Sequence, residues 1–208
     1  MVREILVVPR STLFKDGDFQ GIVPIEKNDF TKIILLNYDY KERNEELENN
    51  SNFQQIIPYV WIINPKEKKV FLYKRGMSKG EYKERRYLNN YSGGIGGHID
   101  KDTEEKSNNP INDAMIRELH EEVFIHNYPE PKIVGFINDD SDSLGKVHFG
   151  ILAIAKTEEE IKLAEKGLKE GRFYTVDETN KILSNKDNKI ESWTKLSWPF
   201  IRKCLLAK

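Results

Sequence analysis

The alternation of apolar and polar positions along the chain predicts a mixed α/β protein. Residues 2–8 and the run Thr31-Lys32-Ile33-Ile34-Leu35-Leu36 are short, apolar and β-branched, so both read as strands. Gly17, Gly21 and Pro24 between them mark turns. From Lys41 to Asn50 the chain is almost wholly polar, the pattern of a solvated linker, with a short exposed helix as the other reading. That run suggests a division into an N-terminal β-rich extension, residues 1–56, and a main domain, residues 57–208.

The main domain opens on Ile57-Pro58-Tyr59-Val60-Trp61-Ile62-Ile63-Asn64, a strand ending in an Asn-Pro turn. Its hairpin partner is Lys69-Val70-Phe71-Leu72-Tyr73-Lys74-Arg75. A basic loop, residues 76–90, leads to the glycine cluster Gly93-Gly94-Ile95-Gly96-Gly97. Asn112 to Val123 has helical periodicity, with Ala114, Met115, Leu119 and Val123 on one face. Pro110 sits near its start, where a missing N–H costs little, and Asn109 or Asn112 is placed to cap it. Residues 132–137 and 146–155 read as strands around the acidic loop Asp139-Asp140-Ser141-Asp142-Ser143. Residues 158–169 read as a short helix, 171–176 as a closing strand, and 190–206 as an amphipathic helix interrupted at Pro199.

Composition narrows the function. The 208 residues are 38% hydrophobic and 32% charged, as in a protein with an ordinary core and a charged surface. The 33 basic and 34 acidic residues leave a net charge of -1, which argues against a broad nucleic-acid face and leaves room for a small basic phosphate pocket. No apolar run suits a signal peptide or a membrane span, so a cytoplasmic protein is expected, with two chance glycosylation sequons. The single cysteine, Cys204, excludes an internal disulfide framework and a multi-cysteine zinc site.

Candidate chemistry concentrates in Arg117-Glu118-Leu119-His120-Glu121-Glu122. Residues three and four apart share a helix face, so Glu118, Glu121 and Glu122 converge. Each like-charged pair costs an isolated helix about 0.2–0.5 kcal/mol. A hard divalent cation would offset that repulsion, and Mg²⁺ commonly joins a few carboxylates to substrate phosphates. The glycine cluster lacks a full dinucleotide fingerprint and does not open a helix directly, so by itself it reads as a tight turn. His120 and His126 are six apart, not the four of a zinc helix. His148 reads as structural, whereas His98, directly after the glycines, is a candidate phosphate contact. Arg75 is another, with Lys74 beside it. The run Lys83-Glu84-Arg85-Arg86 reads as solvated surface, the aspartates 139, 140 and 142 as loop residues, and Trp193 and Trp198 as core anchors.

The segment Gly96-Gly97-His98 followed by Ala114-Met115-Ile116-Arg117-Glu118-Leu119-His120-Glu121-Glu122-Val123 resembles the Nudix hydrolase family, over about residues 57–180. Within it, the chain looks like the phosphoesterases that carry an N-terminal extension. The resemblance implies an α/β/α sandwich with a mixed sheet and a Mg²⁺ or Mn²⁺ site formed by Glu118, Glu121, Glu122 and the Gly96 carbonyl. It also implies that Arg117 orients a carboxylate, that Glu118 or Glu121 takes part in catalysis, with Glu118 favoured as base, and that Arg75, Gly97 and His98 meet the substrate. The implied reaction is cleavage of a phosphoanhydride bond in a nucleoside diphosphate derivative or other organic diphosphate. The expected partners are that small molecule and a second copy of the chain through the N-terminal strands, with no nucleic-acid polymer or membrane.

The chain departs from the family pattern at three places. The glutamate eight residues before the arginine is Asn109, the glycine six before that is Thr103, and the glycine after the Glu-Glu pair is Phe124. Glu104 or Glu105, in a lengthened loop, is placed to fold back into the missing role. These departures keep open a non-catalytic nucleotide- or diphosphate-binding regulatory protein. An isopentenyl-diphosphate isomerase ranks lower, because Cys204 lies in the terminal helix.

Overall fold

The computed structural model describes residues 2–76, 89–164 and 168–207. In chain order the elements are β1 (Glu4–Pro9), α1 (Arg10–Leu13), β2 (Gly21–Pro24), α2 (Thr31–Asn37), β3 (Asp39–Glu42), β4 (Phe53–Asn64), β5 (Lys69–Arg75), β6 (Tyr91–Ser92) and β7 (Gly94–Ile95). They continue as α3 (Lys101–Glu104), α4 (Pro110–Glu122), β8 (Val123–Phe124), β9 (Lys132–Asn138), β10 (His148–Lys156), β11 (Lys162–Leu163), β12 (Leu168–Thr175), α5 (Val176–Ser184) and α6 (Ser192–Leu206). The fold is α/β, a mixed β-sheet with helices, as expected. The reading of Lys83 to Arg86 as solvated surface lies outside the described residues.

Residues cluster into two compact units. The first comprises Met1–Tyr59, Gly96–Met115 and Ile133–Ala153; the second comprises Val60–Ile95, Ile116–Lys132 and Ile154–Lys208.

In the first unit, β1 carries Ile5, Leu6, Val7 and Val8, all fully buried. A strand buried on both faces needs no polar alternation, hence its continuous apolar run. It pairs antiparallel with β3 and with the first residues of β4, Val7 opposite Gln55. β2 pairs antiparallel with β9. Phe14, Phe19, Phe30, Phe136 and Phe149 form an aromatic cluster with ring centroids 5.2–6.3 Å apart. Here lies one correction: residues 31–37 are helical, not a strand. The Asp29 carboxylate, just before the helix, accepts the Thr31 N–H at 2.8 Å, and only Ile34 of the helix is buried. A second lies at Lys41 to Asn50, where β3 and a 3-10 turn at Leu47–Asn49 replace the expected linker. Arg43 and Glu48 pair there at 2.7 Å.

In the second unit, β5 pairs with the last residues of β4 and, on its other side, with β12, both antiparallel. β8 and β11 form a separate two-stranded sheet. This overturns the helix expected over residues 158–169, since Lys162 and Leu163 are extended and matched to Phe124 and Val123. α5 starts on a capping box in which Thr175 and Glu178 satisfy each other's backbone N–H groups. α6 is continuous through Pro199, against the expected interruption. Trp198 stacks on Trp61 at 6.0 Å and donates to Asn180 Oδ1, so it is the core anchor expected. No helix among the described residues is long and apolar enough to cross a membrane.

Candidate functional site

The candidate acidic cluster stands on the last turns of α4. Asn109 caps that helix, its Oδ1 accepting the Asn112 N–H at 3.2 Å, and Pro110 takes the first helical position. Ile111, Ala114, Met115 and Leu119 bury one face, which fixes the rotation of the helix and therefore the direction of its charged side. Arg117 Nη1 donates to Glu118 Oε1 at 2.8 Å and to Glu121 Oε2 at 3.2 Å. One guanidinium thus gathers two carboxylates, offsetting the repulsion their spacing creates. Glu118 is largely buried, while the Glu121 side chain is 57% exposed.

Glu122 is half-buried at the end of α4. Burial, and after it the Glu122 charge, pushes the Tyr73 hydroxyl well above its usual range. Tyr73 shares its strand face with Arg75 by the period of two, and its hydroxyl donates to the Gly94 carbonyl at 2.7 Å. Arg75 Nη2 meets Glu191 Oε1 at 3.2 Å. The other Glu191 oxygen accepts from Ser92 Oγ at 2.6 Å and Thr194 Oγ1 at 3.3 Å, and Thr194 Oγ1 accepts the Gly93 N–H at 3.0 Å. A Cβ on Gly93 would run into the Trp61 ring. The first half of the glycine cluster is therefore held by the start of α6. Lys74 pairs with Glu170 at 2.6 Å, which raises its pKa.

The second half of that cluster belongs to the first unit. A Cβ on Gly96 would run into the Pro58 carbonyl oxygen, so only glycine fits there. His98 is buried, with Nε2 2.7 Å from Gln55 Oε1. Glu104 is buried too, and its carboxylate accepts the Asp100 N–H at 2.7 Å. Asp139, Asp140 and Asp142 bond their own loop or Arg10 and Gln20.

Within the second unit the structure brings Arg117, Glu118 and Glu121 together on the last turns of α4, which also carry Glu122, and pairs Arg75 with Glu191. Gly96, Gly97 and His98 belong to the first unit. Sequence reasoning passed over Tyr73 and Glu191. The alternation along β5 pointed to Tyr73; nothing local pointed to Glu191, whose partner Ser92 lies 99 residues away.

The carboxylates are hard oxygen donors and suit Mg²⁺ or Mn²⁺ chemically. Among the described residues no group of three or more His, Cys, Asp or Glu side chains forms a ready metal cage. Mg²⁺ does not require one, because it usually binds one or two carboxylates and completes its shell with water and substrate phosphates.

No protein-family model matches the chain. Protein YmaB of Bacillus subtilis (strain 168) is 34% identical over 200 residues, 91% of this chain and 93% of that protein. The crystal structure of Tm1382, named as a candidate Nudix hydrolase, superposes with a TM-score of 0.78 at 27% identity, covering 97% of this chain and 99% of the other. The chain belongs to the Nudix family. The Nudix domain of Shewanella oneidensis NrtR, complexed with ADP ribose, shares the fold at 13% identity and a TM-score of 0.50, over 72% of this chain and 88% of that one. The superposition with Tm1382 runs over nearly the whole chain, and the fold is that of a pyrophosphohydrolase.

Proposed function

We propose that this Nudix protein is a divalent-metal-dependent pyrophosphohydrolase that cleaves a phosphoanhydride bond in a nucleoside diphosphate derivative or another organic diphosphate. The observation that carries the reading is the Arg117 guanidinium bridging Glu118 and Glu121 on the last turns of α4. A bound Mg²⁺ or Mn²⁺ supplies charge neutralisation at the diphosphate oxygens and makes a water more acidic. Glu118, Glu121 and Glu122 would hold it, with the Gly96 carbonyl as the further ligand that the resemblance implies.

Arg117 fixes the rotamers of Glu118 and Glu121, which removes a reorganisation cost from the reaction. Glu118 takes the proton of the attacking water. Arg75 offers its guanidinium to a phosphate while Glu191 holds it in place. Gly97 and His98 offer backbone N–H groups, since the His98 imidazole is engaged with Gln55.

A second reading, ligand binding without turnover, draws on Asn109. It caps α4 where the family pattern has a glutamate. A substrate panel starting with ADP-ribose separates the two. Hydrolysis predicts release of a phosphate product only with Mg²⁺ or Mn²⁺, abolished in Glu121→Gln/Glu122→Gln at an unchanged far-UV spectrum. Thermal shifts with the same compounds and no product would establish the binding protein instead. Undiminished release by the double variant would remove the carboxylate site.

A further inference from the structure

The first unit encloses a group of polar side chains that the proposed hydrolysis does not use. His98 and His148 are each 6% exposed, and Gln55 on β4 is fully buried. His148 opens β10 directly after a 3-10 turn at Gly145–Val147. Asp142 Oδ1 fixes that turn by accepting the N–H groups of Leu144 at 2.9 Å and Gly145 at 2.7 Å. His148 Nδ1 lies 2.7 Å from the Leu144 carbonyl oxygen. A carbonyl only accepts, so Nδ1 carries the proton and the lone pair sits on Nε2. That Nε2 faces His98 Nε2 at 3.4 Å, and His98 Nε2 is 2.7 Å from Gln55 Oε1. The Gln55 amide nitrogen, also buried, has no hydrogen-bond partner among the described residues.

We propose that His98, His148 and Gln55 form a binding site for a borderline transition-metal dication of the Zn²⁺, Co²⁺ or Ni²⁺ type. Two nitrogens about 2.0–2.1 Å from one tetrahedral ion stand roughly 3.3–3.4 Å apart, the separation the two imidazoles already have. The bond from His148 Nδ1–H to a backbone carbonyl is the outer contact that metal-bound histidines make, fixing tautomer and ring orientation. The ion takes Nε2 of both neutral rings, His98 shifting to its Nδ1–H tautomer, and Gln55 Oε1 turns from His98 to the ion. A fourth position stays open to water or an anion. Imidazole nitrogen selects ions of this kind, whereas the carboxylates of α4 suit Mg²⁺ and Mn²⁺. The site therefore stands independently of the proposed hydrolysis.

The test is a Co²⁺ titration of the full chain in excess Mg²⁺. One saturable Co²⁺ per chain is expected, with the visible absorption of a tetrahedral nitrogen site. With Zn²⁺, long-range ¹H–¹⁵N spectra should show the Nε2 resonances of His98 and His148 moving together, and those of His120 and His126, the other two of the four histidines, staying put. His148→Asn keeps an N–H near the Leu144 carbonyl but removes Nε2. It should weaken Co²⁺ binding about tenfold or more, because even outer contacts are worth that much. His120→Asn/His126→Asn should bind as the parent does. Absence of saturable binding, shifts at His120 or His126 instead, or unchanged affinity in His148→Asn would each overturn the site. If His148→Asn does not fold, the spectra of the parent decide alone.

Discussion

Two arginine–glutamate arrangements in the second unit look alike as residue pairs and differ in what they hold. Glu191 receives Arg75, Ser92 and Thr194, so its carboxylate ties β5, β6 and the start of α6. Glu118 and Glu121 are gathered by Arg117 within little more than one turn of α4, and more than half of the Glu121 side chain faces solvent. The first arrangement is a cross-link, in which hydroxyls from distant segments fill the carboxylate. The second orients charge locally. An ion pair marks a reactive site when its neighbours leave a carboxylate facing outward, not through the pairing itself.

The contrast can be broken at either end. Glu118→Gln should lower kcat by about 10²–10³-fold, the scale of removing one positioned electrostatic group. Urea unfolding should place its stability within about 1 kcal/mol of the parent. Equal kcat with a large loss of stability would make Glu118 the cross-link. Glu191→Ala should do the reverse, costing about 3 kcal/mol in urea by removing the acceptor that Arg75, Ser92 and Thr194 share, and raising KM through the loosened Arg75 more than it lowers kcat. A collapse of kcat at unchanged stability would move Glu191 into the chemistry.

Thr175→Ala, at the α5 capping box, is the control and the smallest effect, about 1 kcal/mol at neutral pH. The Thr175 backbone N–H first, and its hydroxyl second, hold the Glu178 carboxyl below its ordinary range, and the substitution removes only the hydroxyl. A depressed folded pKa stabilises above the unfolded value and is lost as pH falls through the folded one. The difference between parent and variant, followed by urea midpoints, should therefore narrow in acid.

Which elements were legible follows from where their information lies. α4 announces itself by apolar periodicity, Pro110 and the Asn109 cap, all within fifteen residues of chain. β4, β5 and β10 do so by length and β-branched content. Residues 31–37 failed because a short apolar run is ambiguous between strand and helix, and the Asp29 carboxylate that receives the Thr31 N–H lies outside it. Residues 158–169 failed because their charged pattern suits a helix locally, while β8 offers an edge nearly forty residues earlier. Of the candidate site, the carboxylates were readable from helical spacing and Arg117 from the family resemblance. The inward turn of His98, and the roles of Tyr73 and Glu191, depend on packing that no local pattern encodes.

The clamp at the start of α6 has a kinetic consequence. Gly93 and Thr194 are 101 residues apart, and Trp61 and Ser197 are 136 apart. Loop closure over such lengths must be completed before these bonds contribute, which slows folding. Strands β4 to β7 are thus expected to assemble first as a loose hairpin layer, and docking of α6 to be a late, rate-limiting step that fixes the glycine cluster in its working shape.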